Sequence, residues 1–380
     1  MGALDGFKIV DLSRLLPGPF CTTLLADHGA EVIAVEAPHF RDNPVLGFIP
    51  MVRRNKRHMA LDLRGAEGRD VFFRLVENAD VVLEGFRPGV TKRLGVDYET
   101  VRARNHRIVY CSITGYGQTG PLAHRAGHDL NYMAAAGMLD LARDKSNMPV
   151  TPGFQMADLA GSLYAALGVL LALLSREQTG VGQYIDVSMT DSLVSLLPLP
   201  LSFEFSGMGL PGKASNDKGV WFPCYRVYET GDARHISVGP LEPHLWASLC
   251  NKLGCPEYVS TQYDDNRREE MDGRLEQIFR SKTLAEWITF LDHPDDCIAP
   301  VTQVKELAND PHFKERGSIV NFDDGVPQPG ITPKMSVTQG EFTRPPYRFG
   351  AHTKEVMTEL GYGADEIADL EARGIVWCRP

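Results

Sequence analysis

Two short segments hold the residue types best suited to moving a proton: Gly127-His128-Asp129-Leu130-Asn131-Tyr132 and, further along, Ala157-Asp158-Leu159-Ala160-Gly161. Each sets its polar residue at a loop-to-helix junction, where an imidazole and a carboxylate can meet one substrate. Near pH 7 a neutral imidazole and an ionised carboxylate are two bases able to take a proton from a carbon acid. The enolate so formed needs preorganised donors at its oxygen, and backbone N–H groups at the helix start after Gly127 are the candidates. On residue type alone both residues are ordinary: a His after Gly commonly begins a helix, and Asp158 ahead of an apolar run reads as an N-cap. Cap and chemistry are compatible, because the amides and dipole of a helix N-terminus keep a carboxylate ionised.

The elements that must position these residues alternate between strands and helices. Residues 7–12, 31–36, 59–63, 80–83 and 108–113 are β-rich runs bounded by turn residues. Helical patterns cover 18–29, 68–78 and 97–105, the first stopped by Gly29. This alternation predicts an α/β fold with a Rossmann-like, doubly wound, mostly parallel sheet. Ligands of such sheets sit outside the carboxyl ends of the strands, where Asp11, Glu36, Gly85 and Gly115 fall. After the first strand the chain reads Ser13-Arg14-Leu15-Leu16-Pro17-Gly18-Pro19 and not GxGxxG, so a dinucleotide held in the usual manner is not expected. Residues 125–200 are largely helical and apolar, with the longest helix after Asp158 and a strand at 184–189. Beyond them, 225–232 and 235–239 form a hairpin, and helical patterns at 244–253, 267–281 and 284–291 complete a small α/β lobe. A chain of 380 residues exceeds one ordinary core. The expected division is a large domain of 1–205 to which 330–380 returns, a small domain of 220–328, and linkers at 206–219 and 328–348. A helix over 354–360 closes the chain.

Composition narrows the class. With 43% hydrophobic and 23% charged residues the chain is an ordinary globular protein. A formal net charge of −10 argues against nucleic acid as a partner. Seven cysteines, an odd number with no close CxxC pair, fit neither a disulfide framework nor a zinc site. Reduced thiols and a cytoplasmic location are expected. The first residues lack the basic and apolar regions of a secretory signal. The apolar run 159–174 is shorter than the roughly 20 residues of a membrane span, so a buried helix and no membrane partner are expected.

The segments Leu16-Pro17-Gly18-Pro19-Phe20, Leu24-Leu25-Ala26-Asp27-His28-Gly29-Ala30-Glu31-Val32-Ile33, Glu84-Gly85-Phe86-Arg87-Pro88-Gly89-Val90 and Thr114-Gly115-Tyr116-Gly117-Gln118-Thr119-Gly120-Pro121 occur in that order. Together they resemble the class III CoA-transferase (CaiB–BaiF) family over nearly the whole chain. The resemblance implies acyl-CoA thioester substrates and no separate cofactor, coenzyme A being part of the substrate. It implies a large Rossmann-like domain built from both ends of the chain, a small domain between, and an interlocked homodimer.

Two chemistries follow from the resemblance. In the transferases an aspartate attacks the acyl-CoA thioester and carries the acyl group as an anhydride; in the α-methylacyl-CoA racemases a His and an Asp act as opposed bases at C2. Asp158 matches the key aspartate of both. His128 lies in a segment similar to the racemase motif, and Val238-Gly239-Pro240-Leu241-Glu242-Pro243 resembles the racemase segment whose glutamate, here Glu242, supports the histidine. Glu242 before Pro243 equally reads as a helix cap. A glycine run like that of formyl-CoA transferase is missing, whereas Phe154 stands where racemases have an asparagine. On the same resemblance, coenzyme A contacts fall on Leu61, Arg64, Gly85, Phe86, Arg87 and Arg93, and on Gly127, Asp129, Leu130, Asn131 and Tyr132. Ala37 replaces a family arginine. The densest basic run, Arg53-Arg54-Asn55-Lys56-Arg57, reads either as a phosphate contact or as a solvated face. Met133, Met138, Leu139, Leu197, Leu199, Phe203 and Phe205 either line an acyl pocket or belong to the core. The expected activity is epimerisation of a 2-methylacyl-CoA, with CoA transfer through Asp158 as the alternative.

Overall fold

The computed structural model describes residues 2–42, 49–144, 146, 148–207, 222–322 and 325–379. They divide into two compact units: Met1–Leu139 with Thr151–Leu196 and His312–Pro380, and Asp140–Val150 with Leu197–Pro311. The linker expected over 206–219 lies, from 208 onward, outside the described residues.

The first unit begins with β1 (Lys8–Asp11), α1 (Pro17–Asp27), β2 (Glu31–Glu36) and β3 (Lys56–Leu61). It continues through α2 (Ala66–Glu77), β4 (Val81–Glu84), α3 (Val90–Leu94), α4 (Tyr98–Arg102) and β5 (Val109–Thr114). Then come α5 (Asp129–Ala135), α6 (Met138–Leu141), the long α7 (Met156–Thr179), β6 (Tyr184–Ser188) and α8 (Met189–Val194). Successive strand residues point to opposite faces. Ile9, Val81, Leu83 and Val109 therefore join α1 and α7 in one core layer, while Val10, Val82, Leu61 and Tyr110 join α2 in the other. Both faces are covered, which is why these strands read as nearly continuous apolar runs. Gly29 ends α1 with φ of 106°, a backbone conformation that glycine alone adopts without strain.

Helix α7 departs from the expected buried helix. Its small residues Ala157, Ala160, Gly161, Ala165 and Ala172 pack inward, but Leu163, Leu167, Leu170, Leu171 and Leu174 are exposed. At 24 residues it is long and apolar enough to cross a bilayer, yet its alanine–glycine face is part of the first unit's core.

In the second unit, α9 (Pro198–Phe205) precedes β7 (Arg226–Glu229) and β8 (His235–Val238). Helices α10 (Pro243–Leu253), α11 (Arg268–Phe279) and α12 (Leu284–Phe290) follow, then β9 (Ile298–Pro300). The hairpin is antiparallel, and β9 adds a third strand beside β8. The core is built on Trp246, Met271, Phe279 and Trp287. Both indoles are satisfied by main-chain carbonyls, Trp246 donating to Tyr258 (2.8 Å) and Trp287 to Phe279 (2.7 Å), as buried indoles require.

The chain re-enters the first unit through α13 (Pro311–Glu315), the hairpin of β10 (Ile319–Asn321) and β11 (Pro327–Pro329), and α14 (Thr353–Glu359). The helix expected to close the chain does not: α15 (Ala364–Ala372) and β12 (Val376–Trp377) follow it. Strand β12 is two residues long and pairs antiparallel with β3, too short a segment to carry a period of its own. The sheet order is β12-β3-β2-β1-β4-β5-β6, parallel throughout except β12. The chain winds outward from β1 in both directions, which opens a crevice at the carboxyl ends of β1 and β4.

The basic run 53–57 is largely buried and is not a solvated face; it fastens the returning leg to the sheet. Arg54 pairs with Asp27 (2.7 Å) and donates to the Pro329 carbonyl (2.7 Å). Asn55 donates to Asp27 (2.7 Å) and accepts from the N–H groups of Thr343 (2.8 Å) and Arg344 (3.0 Å). Arg57 reaches Glu31, Glu355 and Glu359. Arg53 pairs with Glu36 (2.7 Å). Lys56 is 1% exposed, donates to Pro19 and Thr22 (both 2.7 Å) and lies 3.6 Å from Asp11. Its burial pushes the ammonium down to about 8, opposed by Asp11. These partners explain why β3 starts at Lys56, earlier than the apolar pattern predicts. Buried charges are tolerated only when paired and hydrogen-bonded.

Candidate active site

A cleft of about 610 Å³ opens at the carboxyl ends of the parallel strands in the first unit. Leu12 and Ser13 follow β1, Ala37 follows β2, Leu61 ends β3, Gly85 follows β4, and Gly115 follows β5. The cleft brings together His128, Asp158, Leu61, Arg64, Gly85, Phe86, Arg87, Gly127 and Tyr132. Arg93, Asp129, Leu130 and Asn131 do not line it, and Glu242 belongs to the second unit. There Glu242 occupies the N-cap position of α10 without a side-chain capping bond. Met133, Met138 and Leu139 pack with the first unit's core, so core packing accounts for them.

His128 sits at the N-cap of α5, its backbone N–H donating to Asn131 Oδ1 (3.0 Å) and its side chain exposed to the cleft. Tyr132 folds back so that its hydroxyl donates to the Gly127 carbonyl. Its ring lies against Gly115, where a Cβ would fall 2.2 Å from Tyr132 Cε1. Only glycine fits there. Position 115 is therefore what lets the His128 segment lie down on the end of β5.

Asp158 is not the N-cap of its helix. It is the third residue of α7, and Gln155 at the cap position makes no side-chain bond. The capping is done from outside: Asp129 Oδ1 accepts the N–H groups of Ala157 (2.7 Å) and Asp158 (3.0 Å). The Ala157 and Asp158 amides, expected to hold the Asp158 carboxylate, are thus taken by Asp129. Desolvation, reinforced by the Asp129 charge, raises the Asp158 carboxyl to about 6. At neutral pH it is still mainly ionised but a stronger base than a free aspartate. Phe154, where an asparagine was looked for, is an exposed apolar ring with no hydrogen bond to offer.

Beneath the cleft lies a residue that sequence reasoning passed over. Glu84 is 2% exposed; it accepts the N–H of Phe86 (2.6 Å) and the hydroxyl of Ser112, which in turn accepts from Tyr184 (3.0 Å). Burial raises its carboxyl to about 7. It anchors the Gly85-Phe86-Arg87 loop to the sheet. An acidic residue ending an otherwise apolar strand was the available signal.

The cleft is cationic at its walls. Arg64 is tied to Asp62 by Nη2 (2.6 Å) and Nε (2.9 Å). Arg14, Arg87 and Arg125 have no carboxylate partner among the described residues. Arg14 lies 4.3 Å from the Phe40 ring centroid and 5.7 Å from that of Phe86, an arrangement that leaves the guanidinium edge free for an anion. Among the described residues no group of three His, Cys, Asp or Glu side chains is arranged to hold a metal ion.

A doubly wound sheet with an imidazole, a carboxylate and several arginines in the crevice at its switch point defines an α/β enzyme for an anionic ligand. The model of CoA-transferase family III matches residues 4–353, and the chain belongs to this family. It is 34% identical to the human alpha-methylacyl-CoA racemase over 98% of this chain and 97% of that one. It is also 30% identical to the human succinyl-CoA:glutarate CoA-transferase, over 98% of this chain and 90% of that one. A CAIB/BAIF family protein from Brucella suis has the same fold, with a TM-score of 0.79 at 28% identity over 94% of this chain and 99% of its own.

Proposed function

We propose that this protein epimerises a 2-methylacyl-CoA by proton transfer at C2. The observation that carries the reading is the presence of His128 and Asp158 in one cleft, with Asp158 raised to about 6. One base removes the C2 proton, the electron pair delocalises onto the thioester oxygen as an enolate, and the conjugate acid of the other returns a proton to the opposite face. Backbone N–H groups of Asp129 and Leu130 are the donors assigned to the enolate oxygen, that of His128 being bonded to Asn131. The arginines of the cleft receive the phosphates of coenzyme A. Resemblance of its segment supports Glu242 as a third residue needed for the reaction, and Glu242→Gln should then lower kcat with little change in KM.

A second reading, CoA transfer, is favoured by Phe154, by the absence of a hydrogen bond to the Asp158 carboxylate among the described residues, and by similarity to transferases. In it Asp158 attacks the thioester carbonyl, the thiolate of coenzyme A leaves, and an acyl-aspartyl anhydride remains. Incubation with a 2-methylacyl-CoA in D₂O beside mixed carboxylic acids separates the two by mass spectrometry. Deuterium at C2 of an otherwise unchanged thioester supports the racemase. New acyl-CoA species without C2 exchange refute it in favour of transfer.

A homodimer in the cytoplasm completes the proposal. The leucine row on α7, at 163, 167, 170, 171 and 174, supports a subunit contact. Replacing Leu167 and Leu171 together by Glu should convert the dimer to monomers in sedimentation velocity; an unchanged dimer would remove α7 from the contact.

A further inference from the structure

Asp129 stands next to His128 in sequence, yet it does not line the cleft, and its carboxylate bonds the start of another helix. One oxygen, Oδ1, accepts both the Ala157 N–H (2.7 Å) and the Asp158 N–H (3.0 Å). These are amides of the first turn of α7, which the helix's own cap residue leaves unserved. An unserved N-terminal amide seeks the nearest oxygen, and the Asp158 carboxylate, on the same turn, would be a local taker.

We propose that Asp129 is a positioning residue: by occupying the first-turn amides of α7 it fixes His128 and Asp158 relative to each other and denies those amides to the Asp158 carboxylate. The inference rests on the reading of Asp158 as the reactive carboxylate, and it holds for proton transfer and acyl transfer alike. Adjacent positions, 128 and 129, thus divide the work, one facing the cleft and the other lacing two helix starts together. With its amides taken, Asp158 is left without donors and beside a like charge, the two conditions that make a carboxylate more basic.

The charged groups around Asp158 come from the packed elements and from the cleft. Among the elements packed against α7, α5 carries Asp129, α8 carries Asp191, β6 carries Asp186, α1 carries only Asp27 at its far end, and β5 carries no Asp, Glu, Lys, Arg or His. The cleft adds His128, Tyr132, Tyr116 and His39, the carboxylate of Asp62, and the guanidinium groups of Arg14, Arg64, Arg87 and Arg125. Of these only Asp129 contributes a charge effect on the Asp158 carboxyl.

The test is a ¹³C carboxyl titration of Asp158, assigned with Asp158→Asn, in the full-length protein and in Asp129→Asn and Asp129→Ala. Asparagine keeps the amide acceptor but drops the charge, so the Asp158 midpoint should fall by about one pH unit. Alanine also frees the amides for Asp158, and its midpoint should fall further. Alongside, kcat per folded enzyme, with the folded fraction fixed by circular dichroism, should drop in Asp129→Asn while KM for the acyl-CoA stays within about two-fold. Coincident Asp158 midpoints in wild type and Asp129→Asn would overturn the proposal, and this isosteric variant decides the matter even where Asp129→Ala does not fold. Ordered midpoints in a protein that neither exchanges C2 protons nor transfers CoA would uphold the role of Asp129 and sink the functional reading.

Discussion

Replacing Asp158 by Asn should make the protein more stable at pH 8 while abolishing activity. The folded chain binds the Asp158 proton up to about pH 6, whereas a free aspartate releases it near 3.8. Between those values the native state holds more protons than the unfolded state, so stability falls as pH rises and the whole penalty is present above pH 6. A gap of that size corresponds to about 3 kcal/mol. Water at the cleft mouth screens part of it, which leaves about 1–3 kcal/mol for an isosteric neutral side chain to recover. For a unit of this size that is a rise in Tm of about 2–8 °C. Thermal melts of wild type and Asp158→Asn at pH 8 and pH 4 form the assay, with the advantage shrinking to a small fraction at pH 4. An Asn variant no more stable than wild type at pH 8 would refute the account of a desolvated carboxylate beside Asp129. So would an advantage of the same size at both pH values.

Other residues give equally concrete expectations. Gly115→Ala should cost about 1–3 kcal/mol and most of the activity, because the added methyl meets the Tyr132 ring at 2.2 Å; melts and initial rates read both. Lys56→Met should cost about 3–5 kcal/mol by leaving Asp11 buried without its counter-charge, visible as a loss of Tm larger than that of any surface Lys→Met change. Glu84→Ala withdraws the acceptor of the Phe86 N–H, worth about 1 kcal/mol. A several-fold rise in KM for acyl-CoA with a smaller change in kcat would follow, and an unchanged KM would detach Glu84 from the binding loop.

Much of the architecture was legible because parallel strands covered on both faces cannot hide. Strand β2 was located residue for residue, as the apolar run Val32-Ile33-Ala34-Val35, bracketed by Glu31 and Glu36 between Gly29 and Pro38, leaves little choice. Strand β3 was placed late because Lys56, Arg57 and His58 look like surface. Their partners, Asp11, Glu36, Glu31, Glu355 and Glu359, lie far away in sequence. No window over 53–57 contains the carboxylates that bury it.

The same division runs through the site. By itself the sequence determined the residue types on offer, the alternation that builds a doubly wound sheet, and the motif order that marks the family. His128 and Asp158 were legible because both stand at loop-to-helix junctions beside the carboxyl ends of the strands. Tertiary structure alone decided what each polar group faces. It made the Asp129 carboxylate the cap of another helix, made the 53–57 run a fastening for the returning leg, and put Glu84 at the base of the Gly85-Phe86-Arg87 loop. The physical reason is common to all three: a side chain's charge state and role follow from the partners and water that surround it, and those are brought in by distant parts of the chain.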